Sequence, residues 1–302
     1  MPLWFYAFRP SQRSHPERLE PNDPTSSRED QHAAFVVNHH PLEFAQNVLL
    51  LEAKTNAERA LALDPSLAEA HSSVAMVRMY LDHDWRGAEQ EFRTALSLQP
   101  QRAETHHRLG QLLAARGRFD EAVAEGKRTV DLDPLAPIMR VDLGCIYYLA
   151  RRFDEGIAVE REVLRSDPSI DLAHTFISAP LLVQHRFDES WTEVRAGMEL
   201  APEKRAMLPV IDARVRLVGT RQALLEASLQ RGAVADRAGW VATSWLATTF
   251  SALGEREAAL HHVELGARSH TRDSISLNVG PIYDGIRNDP RFQKVLDDLR
   301  SR

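Results

Sequence analysis

The chain has 302 residues, 43% of them apolar, and its 37 Lys and Arg against 43 Asp and Glu give a formal charge of −6. This mixed, slightly acidic charge excludes nucleic acid as the expected direct partner, because contact with phosphates requires an excess of clustered basic residues. The single cysteine, Cys145, excludes an internal disulfide and favours a reducing, cytoplasmic location. Charges interrupt every apolar stretch well before the roughly 20 residues that a membrane-spanning helix needs.

Residues 1–45 are rich in proline and polar side chains, as in "SQRSHPERLEPNDPTSSREDQ". Such a composition buries too little apolar surface to fold, so we expect a disordered or extended N-terminal segment. From about Glu43 the chain becomes rich in Leu, Ala, Glu and Arg, with apolar residues three and four positions apart. This spacing predicts amphipathic helices, and no strand-like alternation follows.

The next feature is a fixed spacing of prolines, each of which ends a predicted helix. These are Pro65, Pro100, Pro134, Pro168 and Pro202. They are separated by 35, 34, 34 and 34 residues, and the near-identical strings "RFDEA", "RFDEG" and "RFDES" recur with the same period. A period of this size indicates a repeat array with two helices in each repeat.

Small residues recur at matching positions of the predicted helices, where they would let two helices approach closely. In the first helices they follow a large residue, at Val74-Ala75, Leu109-Gly110, Leu143-Gly144, Ile177-Ser178 and Leu246-Ala247. In the second helices they are Ala53, Ala88, Ala122, Gly156, Ser190 and Ala259. With the 34-residue period, these columns resemble the tetratricopeptide repeat family over residues 46–270. The resemblance implies an all-α fold, a TPR-type α-solenoid of antiparallel helix pairs.

The sequence departs from this pattern in places. Between residues 203 and 239 the match is poor, and Pro180 is expected to kink or break its helix. Residues 271–302 are expected to form a capping segment with a terminal helix, N-capped by Asp289 and bearing an apolar stripe. The stripe consists of Phe292, Val295, Leu296 and Leu299.

The turn before each "RFDE" string is expected to contain a left-handed residue. Gly117 suits that conformation, whereas Arg151 and His185 at the equivalent places would cost about 1 kcal/mol. The acidic pairs inside the strings fall in the first turn of a helix, where they complement its dipole. We therefore interpret these strings as construction units and not as a repeated active site.

No motif predicts catalysis, a metal site or a cofactor. His71, His106 and His174 recur at one column, but that column is expected to face the partner helix, and no H-E-x-x-H pattern is present. Cys145 lacks the surroundings of a nucleophile and is expected to be a small apolar residue. We expect no enzyme; stoichiometric zinc or iron in the purified protein would favour the opposite hypothesis.

The remaining candidate for function is a surface. In the resembling family the first helices line a concave groove that binds a protein or peptide partner. The corresponding residues are Ser72, Met76, Tyr80, His107, Arg108, Gln111, Val141, Cys145, Tyr148, Thr175, Phe176 and Ala179. The middle of this set is apolar, which suits an extended segment or an amphipathic helix. The lysines and asparagines with which some family members hold chaperone tails are absent, and the apolar "LWFYAF" of the N-terminus is an alternative occupant.

A narrower resemblance suggests a second function. "DHDWRGAEQEFRTALSLQP" and the closing "IRNDPRFQKVL" are similar to the C-terminal repeat region of bacterial signalling proteins, behind a winged-helix regulator, adenylate cyclase or protein kinase domain. The preferred hypothesis is a non-catalytic interaction scaffold. The alternative is the regulatory portion of a bacterial signal-transduction protein that lacks its effector domain. The sequence leaves the oligomeric state and the identity of the partner open.

Overall fold

A computed structural model of the chain describes residues 41–238, 243–268 and 277–300. The N-terminal segment expected over residues 1–45 lies outside the described residues except for its last five, which are helical. The helix begins at Pro41. Proline suits a helix start because it has no N–H to leave unbonded and its φ is already near the helical value.

The described residues form helices and no strand, which confirms the all-α fold class. The helices are α1 (Pro41–Leu63), α2 (Ala68–Tyr80), α3 (Trp85–Leu98), α4 (Ala103–Ala115), α5 (Phe119–Leu132), α6 (Pro137–Leu149), α7 (Phe153–Ser166), α8 (Asp171–Val183), α9 (Phe187–Leu200), α10 (Pro202–Arg205), α11 (Leu208–Val218), α12 (Thr220–Ala238), α13 (Thr243–Leu253), α14 (Arg256–Arg268) and α15 (Pro290–Arg300), with a 3₁₀ turn at Pro281–Tyr283. None of the helices in these ranges is long and apolar enough to cross a bilayer.

The described chain divides into two compact units, with the boundary inside α4 between Leu109 and Gly110. In the first unit, α1 packs on α2, and α2 on α3. In the second unit, each helix from α5 to α9 packs on the next, and so does each helix from α11 to α15. The repeat array predicted over residues 46–270 includes residues of both units.

The predicted small residues lie where paired helices come closest. Ala88 and Ala122 are completely buried, and Ser190 Oγ donates a hydrogen bond of 3.0 Å to the carbonyl of Ser178 in the facing helix. A Cβ added at Gly110 would lie 3.4 Å from the carbonyl oxygen of Ala122. Larger side chains at these columns would hold the helices apart, so the predicted role of the small residues in helix packing is confirmed.

The turns before the "RFDE" strings contain the predicted left-handed residues, with φ of 73° at Gly117, 61° at Arg151 and 58° at His185. An L-residue with a side chain pays for this conformation because its Cβ crowds the neighbouring carbonyl. The same left-handed turn thus precedes each of the three strings, and in two of them a residue with a side chain adopts the strained conformation.

The arginine that opens each "RFDE" string forms an ion pair with the glutamate three residues later. Arg118 Nε donates to Glu121 at 2.7 Å, and Arg186 Nε donates to Glu189 at the same distance. Arg152 pairs with Glu155 in the same way. The arginine lies at the N-cap position, so the pair closes over the first turn of the second helix.

The region of poor sequence match also forms a helix pair. Helices α11 and α12 are joined at Gly219, whose φ of 81° makes the tight turn possible. Helix α8 runs through Pro180 to Val183, so the predicted break there is wrong. Proline removes one hydrogen bond from the last turn, and the carbonyl of Pro180 still accepts the N–H of Gln184 at 3.0 Å.

The last described helix, α15, lies where the sequence predicts a terminal helix. Asp289 Oδ1 accepts the backbone N–H of Arg291 at 2.9 Å, which confirms Asp289 as its N-cap. Phe292, Val295 and Leu296 are buried in a cluster with side chains of α13 and α14. The fourth predicted member of the stripe, Leu299, lies outside the described side chains. The stripe thus caps the last helix pair of its unit.

Candidate binding face

The residues predicted to bind a partner lie on first helices, but the structure buries most of them. The buried members are His107, Arg108, Gln111, Val141, Cys145, Tyr148 and Phe176. The half-buried members are Ser72, Met76, Tyr80 and Ala179, and Thr175 is exposed. The predicted set therefore contains both a partly open strip and a covered part.

The partly open strip of the first unit runs along α2. Ser72, Met76 and Tyr80 are four residues apart, which places them on one face of the helix. The hydroxyls of Ser72 and Thr105 are hydrogen-bonded at 2.7 Å, which fixes one end of the strip against α4. Met76 and Tyr80 are left as half-buried apolar and aromatic surface.

The charged pair His107 and Arg108 is used within α4 itself. Arg108 Nε donates to Glu104 at 2.7 Å, and His107 Nδ1 lies 3.8 Å from the same carboxylate. Burial acts to raise the pKa of Glu104, but the hydrogen bonds and charges of His107 and Arg108 prevail and lower it to about 2. The carboxylate is thus ionised, and it engages the Arg108 guanidinium within α4.

The covered part of the second unit centres on α6, where Val141, Cys145 and Tyr148 are all buried. Burial raises the pKa of the Cys145 thiol, and the carboxyl groups of Asp142 and Glu160 raise it further. The thiol is therefore protonated and unreactive, as expected of a small apolar residue. On the neighbouring helix, α8, Phe176 is buried beside the exposed Thr175.

A segment near the C-terminus lies against α6. We name residues 277–287 the strap. The hydroxyl of Tyr148 is hydrogen-bonded to the backbone of Ile282. Arg151 donates to Asp284 through Nη2 at 2.7 Å and through Nε at 3.0 Å. The strap thus brings main-chain groups and a carboxylate to the predicted binding face.

The strap is shaped by its own arginine, Arg287. The guanidinium donates to the carbonyls of Leu277 at 3.2 Å and Gly280 at 2.6 Å, and also to that of Asn278. It also donates to Asp284 at 2.9 Å. The strap is therefore held in one conformation by internal bonds, in addition to its contacts with α6.

The strap is also anchored to α13. Ser251 Oγ donates to the carbonyl of Ile282 at 2.5 Å, and Tyr283 and Ile286 are buried in the same cluster as Phe250 and Phe292. These anchors are apolar and enclosed. The position of this segment against α6 could not be predicted from the sequence, because the contact joins residues more than a hundred positions apart.

A buried carboxyl group, Glu160, was not predicted from the sequence. The side chain is fully buried over Gly144, and neither oxygen has a hydrogen-bond partner among the described residues. Burial, together with the charge of Asp142, raises its pKa from 4.5 to about 10. Glu160 lies three residues after Ile157 and three before Val163, and both of these are buried on α7. This helical spacing is the sequence signal from which the burial of Glu160 could have been predicted.

The histidines of the shared column face the partner helix, as predicted. His71 Nδ1 lies 2.7 Å from Glu91 of α3, and His174 Nδ1 lies 2.8 Å from Glu193 of α9. His71 Nε2 and His106 Nε2 each lie 3.0 Å from a proline carbonyl, of Pro65 and Pro100. Within the described ranges, no three His, Cys, Asp or Glu side chains are grouped to hold a metal ion.

An open cavity of about 500 Å³ lies between the turn that precedes α9 and the turn between α11 and α12. Its polar side chains already contact one another: Arg186 pairs with Glu189, and Thr220 Oγ1 donates to Asp188 at 2.5 Å. Since these groups satisfy one another, we assign no ligand to the cavity.

Comparison with known structures returns proteins of low sequence identity. PilW, a type IV pilus biogenesis factor, is 18% identical with a TM-score of 0.47, covering 82% of this chain and 97% of its own. PilF of Pseudomonas aeruginosa is 17% identical with a TM-score of 0.45, covering 90% of this chain and 99% of its own. TTC0263 of Thermus thermophilus, a TPR protein, is 22% identical with a TM-score of 0.45, covering 61% and 97%.

The sequence comparisons are more specific about the repeats. No curated protein matches the chain. The family model described as tetratricopeptide repeat matches residues 82–137 and 108–169, which span helices α3 to α7. Over this part of the chain, the helices and their 34-residue period are similar to those of the tetratricopeptide repeat family.

Proposed function

We propose that the chain is a non-catalytic scaffold that binds an extended segment of a protein partner on the first-helix faces of its repeats. Tetratricopeptide repeat proteins are typically protein-interaction scaffolds. The observation that carries the proposal is the strap. A stretch of polypeptide already lies against α6, bonded through its backbone at Ile282 and its carboxylate at Asp284. A face that contacts one segment of polypeptide through these groups offers the same groups to another.

In each unit, some residues of the predicted binding face are exposed or half-buried, so a partner could reach them. In the first unit, the half-buried Met76 and Tyr80 form an apolar and aromatic strip on α2. In the second unit, Thr175 is exposed and Ala179 is half-buried on α8. Side chains of this kind provide pockets for alternate residues of an extended partner. The protonated, buried thiol of Cys145 favours binding over nucleophilic chemistry.

Site-specific photo-crosslinking tests the proposal. A photoreactive amino acid at Thr175 is expected to capture a discrete partner in cells, because this position lies on the proposed face. Thr192 is the matched control, since it is also an exposed threonine but lies on the second helix of the same repeat. Equal capture from both positions, or no capture from Thr175, would contradict binding at the first-helix face.

A second candidate is the regulatory portion of a bacterial signal-transduction protein in the cytoplasm. Its support is the closing string "IRNDPRFQKVL", which forms the end of the strap and a capped terminal helix, together with its resemblance to the end of such proteins. The DNA upstream of the gene tests this candidate. A winged-helix, cyclase or kinase sequence in frame would support it, and an unrelated gene would oppose it.

A further inference from the structure

We infer that the strap is a built-in occupant of the α6 face, and that a partner binds there by displacing it with an extended segment that presents a carboxylate to Arg151. This inference rests on the proposed function and names both the chemistry of the partner and its competitor. The structural basis is the pairing of Arg151 and Asp284, which joins α6 and the strap at the turn between α6 and α7.

The two edges of the strap are held differently. Towards the cap, Tyr283 and Ile286 are buried in the cluster of α13, α14 and α15. Towards α6, Arg151 and Asp284 remain 40% and 47% exposed. An ion pair this exposed adds little net stability, because water screens it and competes for both groups. Of the contacts that join the strap to α6, this ion pair is therefore the one that a competing carboxylate can replace most easily.

The position of Arg151 gives the face its preference for a carboxylate. Its left-handed backbone, with φ of 61°, directs the residue away from the regular path of the helix, and Nε and Nη2 both reach the carboxylate. This two-point contact matches the planar guanidinium to a carboxylate. The equivalent turns carry Gly117 and His185, so neither presents a guanidinium from this position.

The strap also defines what the competing segment should look like. Its carboxylate follows an aromatic residue, Tyr283, and the backbone one residue earlier, at Ile282, bonds to Tyr148. The internal bonds of Arg287 hold these groups in place before they meet α6. A tethered segment of this kind acts at an effective concentration of about millimolar. A free segment therefore binds α6 only if its affinity exceeds that of the strap, or if the strap has first been released from α6.

A synthetic peptide of residues 278–287, labelled at its N-terminus, is the probe for this inference. In the full-length chain, Asp284→Arg places three arginines together and should release the strap from α6. If the strap covers the face about 90% of the time, its release raises the apparent affinity for the peptide about tenfold. The variant Asp284→Asn should act in the same direction with a smaller effect, and it removes the charge without adding bulk.

The control is to reverse the charge of Arg151 and, separately, the charge of residue 284. Arg151→Glu should bind the wild-type peptide no better than the wild-type chain, but should bind a peptide that carries arginine in place of Asp284. Combining Arg151→Glu with Asp284→Arg should restore the closed strap. Amide hydrogen exchange should report this closure as slower exchange at the strap than in Asp284→Arg alone.

The inference would be overturned if the wild-type chain and both Asp284 variants bound the peptide with equal affinity. It would also be overturned if the Asp284→Arg chain bound the wild-type peptide and the charge-reversed peptide equally well. The proposed function fails separately. If Thr175 captures a partner while the peptide binds no variant, the scaffold proposal survives and the strap is not the competitor. Without capture at Thr175, peptide binding that follows the charge of residue 284 would still establish the strap as a ligand of α6.

Discussion

Replacing Glu160 with glutamine keeps the size of a buried side chain and removes its ability to ionise. In the folded chain its pKa is raised from 4.5 to about 10, by burial first and then by Asp142. The folded state therefore holds a proton that the unfolded state releases above about pH 4.5. Stability from this group is complete below that pH and is lost, at about 1.4 kcal/mol per pH unit, as the pH rises towards 10.

Urea denaturation at pH 5 and pH 8 measures this effect. Across these three units the free energy of unfolding of Glu160→Gln should rise relative to wild type by about 4 kcal/mol. Glu162→Gln is the matched control on the same helix, since the Glu162 side chain is 62% exposed and should give no pH-dependent difference. Parallel pH dependence of Glu160→Gln and wild type would refute the reasoning, because it would mean that Glu160 is charged in the folded chain.

Three further substitutions test the helix ends and packing. His185→Gly should raise the free energy of unfolding in urea by about 1 kcal/mol, because it relieves a left-handed residue; an unchanged value would contradict that strain. Ala122→Leu should lower it by about 1–3 kcal/mol through overpacking, whereas Ala124→Leu on the exposed side should have little effect. Asp289→Ala should lower the thermal midpoint by removing an N-cap. Hydrogen bonding to a backbone N–H lowers the pKa of Asp289, so this loss should shrink as the pH falls below about 4.

Most of the fold follows from local sequence patterns. The prolines predict where helices end, and the small residues predict where they approach, because both effects act within one repeat. The left-handed residues at Arg151 and His185 follow from their alignment with Gly117. The survival of α8 through Pro180 could not be read from the sequence, because one missing hydrogen bond is offset by the packing of the surrounding side chains.

The candidate site was less predictable. Family resemblance placed Val141, Cys145 and Tyr148 on a binding face, and the structure finds them buried. The contact of Tyr148 with the strap depends on how distant parts of the chain meet, which a periodic pattern does not encode. Glu160 is a different case, since its position among apolar residues of α7 was visible, but the absence of a partner for it was not.

The ion pair between Arg151 and Asp284 joins residues 133 positions apart in a chain whose other helix contacts are mostly between neighbours. Short-range contacts form early in folding, whereas closing a long loop must wait until the intervening helices have ordered. We therefore expect this contact to be the last to form and the first to open in native-state fluctuations. Opening at this point would expose α6 without unfolding any helix pair, at a rate set by the fluctuations of the chain itself.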